Sequence, residues 1–106
     1  MEFIETRIFT RQIQTLLDDE SYGDLQHALA HHPTLGVVIP GGRGLRKLRW
    51  GLTGQGRGKR GGLRIIYYCW SAQQLYMLFA FEKSKQGDLT REQLKLLAAY
   101  VKEGVL

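Results

Sequence analysis

The chain has one cysteine and two prolines in 106 residues, and no apolar run near the ~18 residues that a membrane span needs. With Cys69 alone, no intrachain disulfide can form and packing must hold the fold. Cys69 lies inside the apolar stretch IIYYCW, where a thiol serves as a small hydrophobe and not as a nucleophile. The opening segment MEFIETRIF carries acids where a secretory signal is basic, and it lacks an apolar centre. A cytoplasmic location without membrane contact is therefore expected. The most informative absence is of acid: no Asp or Glu occurs from Leu25 to Phe81.

Into that acid-free stretch fall eight cations, namely Arg43, Arg46, Lys47, Arg49, Arg57, Lys59, Arg60 and Arg64. The whole chain carries only +5, so the remainder is net acidic and the positive charge is concentrated. Crowded like charges repel and destabilise a compact fold, which points to a polyanionic partner such as nucleic acid. The plainer alternative is a solvated hairpin without a partner. Ten of the thirteen glycines lie between Gly36 and Gly62, marking turns or backbone that must approach something closely.

The length suits a single domain spanning residues 1–106. A strand beginning at Glu2 leads to Thr6, a helix cap, after which Ile8, Phe9, Ile13, Leu16 and Leu17 recur at helical spacing. Asp18, Asp19 and Glu20 favour the start of a second helix with an apolar stripe of Tyr22, Leu25, Ala28 and Leu29, ended by Pro33 and weakened by Gly23. From Leu45 to Trp50 the pattern alternates, with Arg46, Leu48 and Trp50 on one side and Leu45, Lys47 and Arg49 on the other. Leu63 to Trp70 and Leu75 to Phe81 read as two further strands, completing an antiparallel meander. Thr90 and Gln93 have capping-box spacing ahead of a last helix that presents Leu94, Leu97, Ala98 and Val101. The predicted order is β-α-α-β-β-β-α, an α+β fold with helices packed on one face of a mainly antiparallel sheet.

Standard catalytic sets are scarce. There is no Gly-x-Ser-x-Gly elbow and no close carboxylate pair in the basic region. His27 and His31 stand at i, i+4 with His32 beside them, but a third metal ligand is missing nearby, so neither metal nor cofactor is expected. A phosphate-loop comparison fails, because Arg60 follows Lys59 where Ser or Thr is required and Thr53 replaces the first glycine. One copy of GRGKRGG is weak evidence for an RGG segment. What remains is a set of cations at strand ends, Lys47, Arg49, Arg64 and Lys83, with Arg57, Lys59 and Arg60 at the rim. Such a set suits RNA cleavage without a metal, in which a 2′-hydroxyl loses a proton, the phosphorane charge is offset and the leaving 5′-oxygen gains a proton. Phosphate binding without chemistry is the alternative.

The run GLRKLRWGLTGQGRGKRGGLRIIYYCW, followed by LYMLFAFEKSKQGDLTREQLKLL, resembles the RelE/HigB superfamily of type II toxins, particularly its HigB-like branch with a GKGKRGG-type hairpin. The resemblance spans Leu35 to Leu97. It implies a RelE-like fold and a metal-independent endoribonuclease, an mRNA interferase that cuts mRNA in the ribosomal A site with 16S rRNA positioning the substrate. It also implies a cognate helix-turn-helix antitoxin as partner. By the same resemblance, Arg64 holds the scissile phosphate, Lys47 and Arg49 are the paired strand cations, one of them a general base, and Lys83 is the basic residue ending the last strand. Arg43, Arg46, Arg57, Lys59, Arg60 and Lys85 would contact rRNA or mRNA backbone. The chain departs from the pattern after the last strand, where RelE-like toxins often carry a base-stacking Tyr and this chain has Lys85, Gln86, Gly87, Asp88 and Leu89. Tyr68 and Trp70 are aromatic but read as core or sheet-face residues. Two further readings are a ParE-like gyrase poison, which tends to lack the full cation set, and a non-catalytic RNA- or ribosome-binding module.

Overall fold

The computed structural model describes residues 1–51 and 62–103. Its elements are β1 (Glu2–Glu5), α1 (Arg7–Leu16), α2 (Asp19–His31), β2 (Val37–Val38), β3 (Arg46–Trp50), β4 (Leu63–Ser71), β5 (Gln74–Glu82) and α3 (Arg91–Glu103). The sheet order is β1-β5-β4-β3-β2. β1 runs parallel to β5 at one edge, and every other pairing is antiparallel. The fold is α+β around a mixed five-stranded sheet, and the meander of β3, β4 and β5 is its centre. The two-residue strand β2 was not expected. With both valines exposed, it is too short to leave an alternation in the sequence.

Local signals place the helices. Thr6 Oγ1 accepts from Phe9 N at 3.1 Å and donates to Leu78 O at 2.9 Å, so one hydroxyl caps α1 and ties it to β5. Asp18 caps α2 by accepting from Ser21 N at 2.7 Å. The capping box of α3 is reciprocal, with Gln93 N donating to Thr90 Oγ1 at 3.0 Å and Thr90 N donating to Gln93 Oε1 at 2.9 Å. Helix α2 runs through Gly23 without a break.

The expectation that the helices share one face is corrected. Phe9, Ile13 and Leu17 from the α1 region and Leu25 and Leu29 of α2 pack on Leu48, Leu63, Ile65, Tyr67, Leu75 and Met77. On the opposite face, Leu97, Ala98 and Val101 of α3 pack on Leu45, Ile66, Tyr76, Leu78 and Phe81. The reason lies in β4 and β5, whose apolar residues run nearly without interruption, so both faces must be covered. A bulge in β5, where Ile66 pairs with Phe79 and Tyr67 with Met77, puts Leu78 and Phe79 successively on the α3 side and returns Ala80 to the other. Ile8, expected on the buried stripe of α1, is 49 % exposed.

The turn before β2 is fastened to the sheet. The Tyr67 hydroxyl donates to Pro33 O at 2.7 Å and accepts from Gly36 N at 2.8 Å. A Cβ at position 36 would lie 2.8 Å from Tyr67 Cε1 and 3.0 Å from Lys47 O, so glycine is required for this close approach.

Candidate nucleic-acid interface

Strand alternation divides the cations of β3. Leu48 and Trp50 belong to the α1/α2 side, which leaves Lys47 and Arg49 on the α3 side. The register sets Arg49 directly opposite Arg64, and Arg64 opposite Phe81. Lys47 stands one row further along, opposite Ile66. Past Glu82 the ladder continues through Lys83 N donating to Gly62 O at 3.0 Å, so alternation gives the exposed Lys83 the parity of Phe81 and Arg64. Of the four residues predicted to act on a phosphate, the sheet therefore brings Lys47, Arg49 and Arg64 together and sets Lys83 at the end of the same face.

Two like charges directly opposite on neighbouring strands destabilise a sheet. Here one of them, Arg64, is only 6 % exposed. Its Nη1 donates to Leu63 O at 3.3 Å, and among the described residues no carboxylate forms an ion pair with it. Burial, and then the charge of Arg49, lower the proton affinity of the Arg64 guanidinium, while Asp88 opposes them. An Arg in this setting remains charged, so the unfavourable energy is held at the site and not relieved by deprotonation.

Arg49, Arg64, Trp50 and Gly51 line a hollow of about 220 Å³ at the open end of the sheet. The Trp50 side chain turns to the α1/α2 side, where its Nε1 is buried and has no hydrogen-bond partner among the described residues. The two guanidinium groups are donors only, so among the described residues the charged side chains that line the hollow offer hydrogen bonds and positive charge but no acceptor. An oxyanion is what such a set can satisfy, with Arg supplying paired parallel N–H groups.

Asp88 is the site residue that sequence reasoning missed. Its Oδ1 accepts from Lys47 Nζ at 3.0 Å, an ion pair across 41 positions of chain. The Lys47 hydrogen bond, then that from Leu89 N, hold the Asp88 carboxyl below its ordinary value of 3.8, with the Arg64 charge a lesser contributor in the same direction. While this bond stands, Lys47 donates a proton in a hydrogen bond and is not placed to accept one.

The predicted backbone-contact residues separate. Arg43 is exposed in the turn before β3. Arg46 has the opposite parity to Lys47, and its Nη1 donates to Gly36 O at 2.7 Å, which makes it a clamp on the turn before β2. Lys85 is exposed and lies 3.8 Å from Glu82, on the side of the sheet near Gln12 and Leu16. Arg57, Lys59 and Arg60 lie outside the described residues.

The remaining candidates sit away from this end. Trp70 is 51 % exposed and stacks on Tyr76 at 5.6 Å, with Tyr68 beside it, at the other end of β4. Cys69 Sγ donates to Pro33 O at 3.2 Å, and burial pushes its thiol up, as befits an unreactive group. The His27 and His31 rings lie 4.5 Å apart, and among the described residues no three His, Cys, Asp or Glu side chains are grouped to hold a metal. No known family model matches the chain.

Proposed function

We propose that the chain is the toxin of a type II toxin–antitoxin pair, a metal-independent endoribonuclease of RelE-like fold that cuts mRNA in the ribosomal A site in the cytoplasm. The observation that carries this reading is the facing pair of Arg49 and Arg64, a buried guanidinium set against a second one beside an anion-sized hollow. That arrangement is unfavourable in the free protein and becomes favourable once a phosphate lies between them.

In the proposed reaction the 2′-oxygen of the substrate attacks the adjacent phosphorus, the bond to the 5′-oxygen breaks, and a 2′,3′-cyclic phosphate and a free 5′-hydroxyl result. Arg64 and Arg49 hold the non-bridging oxygens and offset the charge that grows in the phosphorane. Lys47 and Lys83 add charge on either side of that row. The proton of the 2′-hydroxyl must go to a base and a proton must reach the leaving 5′-oxygen; Lys47 serves as the base only if the incoming strand separates it from Asp88 and its ammonium has given up a proton. Messenger RNA and 16S rRNA are the nucleic-acid partners in this reading, and a helix-turn-helix antitoxin is the protein partner. The Lys47–Asp88 bond favours a second reading, phosphate binding without cleavage, because it engages the lysine nearest the facing arginines.

The test is primer extension on a defined mRNA in a cell-free translation reaction, with wild type, Arg64→Ala and a ribosome-free control. Ribosome-dependent cuts at codon boundaries that vanish in Arg64→Ala are expected. Arrested translation on intact mRNA would select the binding module, and undisturbed translation would redirect attention to gyrase.

A further inference from the structure

A second basic hollow lies between the turn before β3 and helix α3. It measures about 390 Å³ and is lined by Arg43, Lys95, Lys102 and one carboxylate, Glu103, with Ala98 and Ala99 between the lysines. Lys95 and Lys102 are seven positions apart, which sets them on one helix face about 10.5 Å along the axis. The two alanines are short, so the lysines stand clear of the helix surface over a low floor. Among the described residues none of these three cations forms an ion pair.

The backbone holds Arg43 in this place against its preference. Arg43 has φ 57, the one positive value for a non-glycine among the described residues, between Gly41 at φ 75 and Gly44 at φ 97. Hydrogen bonds from Gly42 N to Ile39 O at 2.9 Å, Leu45 N to Gly42 O at 3.1 Å and Ile39 N to Leu45 O at 2.9 Å close the turn around it. Glycine or asparagine would occupy the left-handed region at less cost, and such outliers concentrate where a side chain is needed in a set position.

The hollow lies on the same side of the sheet as the facing arginines, and the chain leads from one to the other. Arg43 precedes β3, and Lys47 and Arg49 project from β3 on the side that α3 covers, so cations follow one another over up to about 20 Å of chain. A single-stranded RNA backbone, with a charge at every nucleotide, can meet several of them in turn.

We propose that the hollow of Arg43, Lys95 and Lys102 is a second phosphate site, which seats the backbone of the single-stranded RNA whose scissile phosphate lies at Arg49 and Arg64. The inference rests on the nuclease reading for the identity of the strand, and its test does not depend on cleavage. Fluorescein-labelled single-stranded RNA is titrated with the full chain across a series of KCl concentrations, and anisotropy gives the affinity. In the triple variant Arg43→Asn, Lys95→Gln, Lys102→Gln the backbone at 43 stays comfortable, because Asn accepts the left-handed region. The slope of log affinity against log salt should become shallower by about 2, at roughly 0.7 per lost phosphate contact, with at least tenfold weaker binding at low salt. The double variant Lys95→Gln, Lys102→Gln changes only exposed positions of α3 and should lose about 1.4 of the slope, which covers the case of a triple variant that does not fold. Slopes and affinities equal to wild type in the folded double variant would overturn the proposal and leave the hollow to a partner other than RNA. A chain that cuts no mRNA yet shows the loss of slope keeps this site and removes the nuclease.

Discussion

The two faces of the sheet are built to different ends. Under α1 and α2 the surface is apolar along its length, and the neighbouring polar groups are engaged: the Tyr67 hydroxyl joins Pro33 and Gly36, and Gln12 Oε1 accepts from Ala80 N at 2.8 Å. Under α3 the surface is apolar where the helix lies and cationic where the helix stops covering it. There a buried Arg faces another Arg. One face stabilises the fold, and the other gives up some of that stability to keep donors waiting for an anion. The contrast predicts that substitutions of similar size will act with opposite sign on the two faces.

The largest effect belongs to the covered face. Phe9 is fully buried, with its ring 6.1 Å from that of Tyr22. Phe9→Ala removes the ring and leaves a cavity, and should destabilise the chain by about 3–5 kcal/mol, a large share of the ~5–15 kcal/mol that holds a domain of this kind. Urea unfolding followed by circular dichroism measures it. A loss under ~1 kcal/mol would mean that α1 is not part of the cooperative core, and the division of labour between the faces would go with it.

The second substitution reverses the sign. Arg64→Met keeps much of the side-chain volume and removes a buried charge that faces Arg49. It should raise the urea midpoint by an amount equivalent to about 1 kcal/mol, with the slope of the transition unchanged, while ending any function that needs the guanidinium. A drop in stability would show that the unpaired charge is compensated in the free protein, and the main physical support for an anion at this row would fail.

Much of this contrast was legible in the sequence, for reasons that can be stated residue by residue. Caps are local, so Thr6, Asp18 and the Thr90–Gln93 box could be read from spacing alone. The parity of Lys47 and Arg49 followed from strict alternation, and the same alternation already set Arg46 apart from them. Its bond to Gly36 O could not be foreseen, because it depends on where the turn before β2 lies. The two-faced burial of β4 and β5 was visible as continuous apolar runs, but the placement of α3 on the far side is a question of chain path and not of pattern. The facing of Arg49 and Arg64 is a matter of register, which no single strand encodes. Asp88 was read only as part of the segment that stands where a base-stacking Tyr is often found, since an ion pair between residues so far apart in the chain leaves no local trace.

Asp88 also sharpens the comparison at its finest scale, because it is the one carboxylate that enters the cationic face as a partner among the described residues. Its side chain is 65 % exposed and that of Lys47 32 %, so water screens the pair and its worth is about 0.2–1 kcal/mol. The sign with pH follows from the lowered carboxyl: the folded state prefers the ionised form, so the contribution is present above the ordinary value of 3.8 and is lost as pH falls through the lower folded value. Asp88→Asn should remove this small term at neutral pH and flatten that part of the acid limb in urea titrations. Its effect on an anion should be opposite in direction. With the internal counter-charge gone, Lys47 becomes available to a phosphate, and single-stranded RNA should bind more tightly with a salt slope steeper by about 0.7. Weaker binding in Asp88→Asn would mean that the carboxylate holds Lys47 in its working position. The cationic face would then be organised by its ion pair, and not merely neutralised by it.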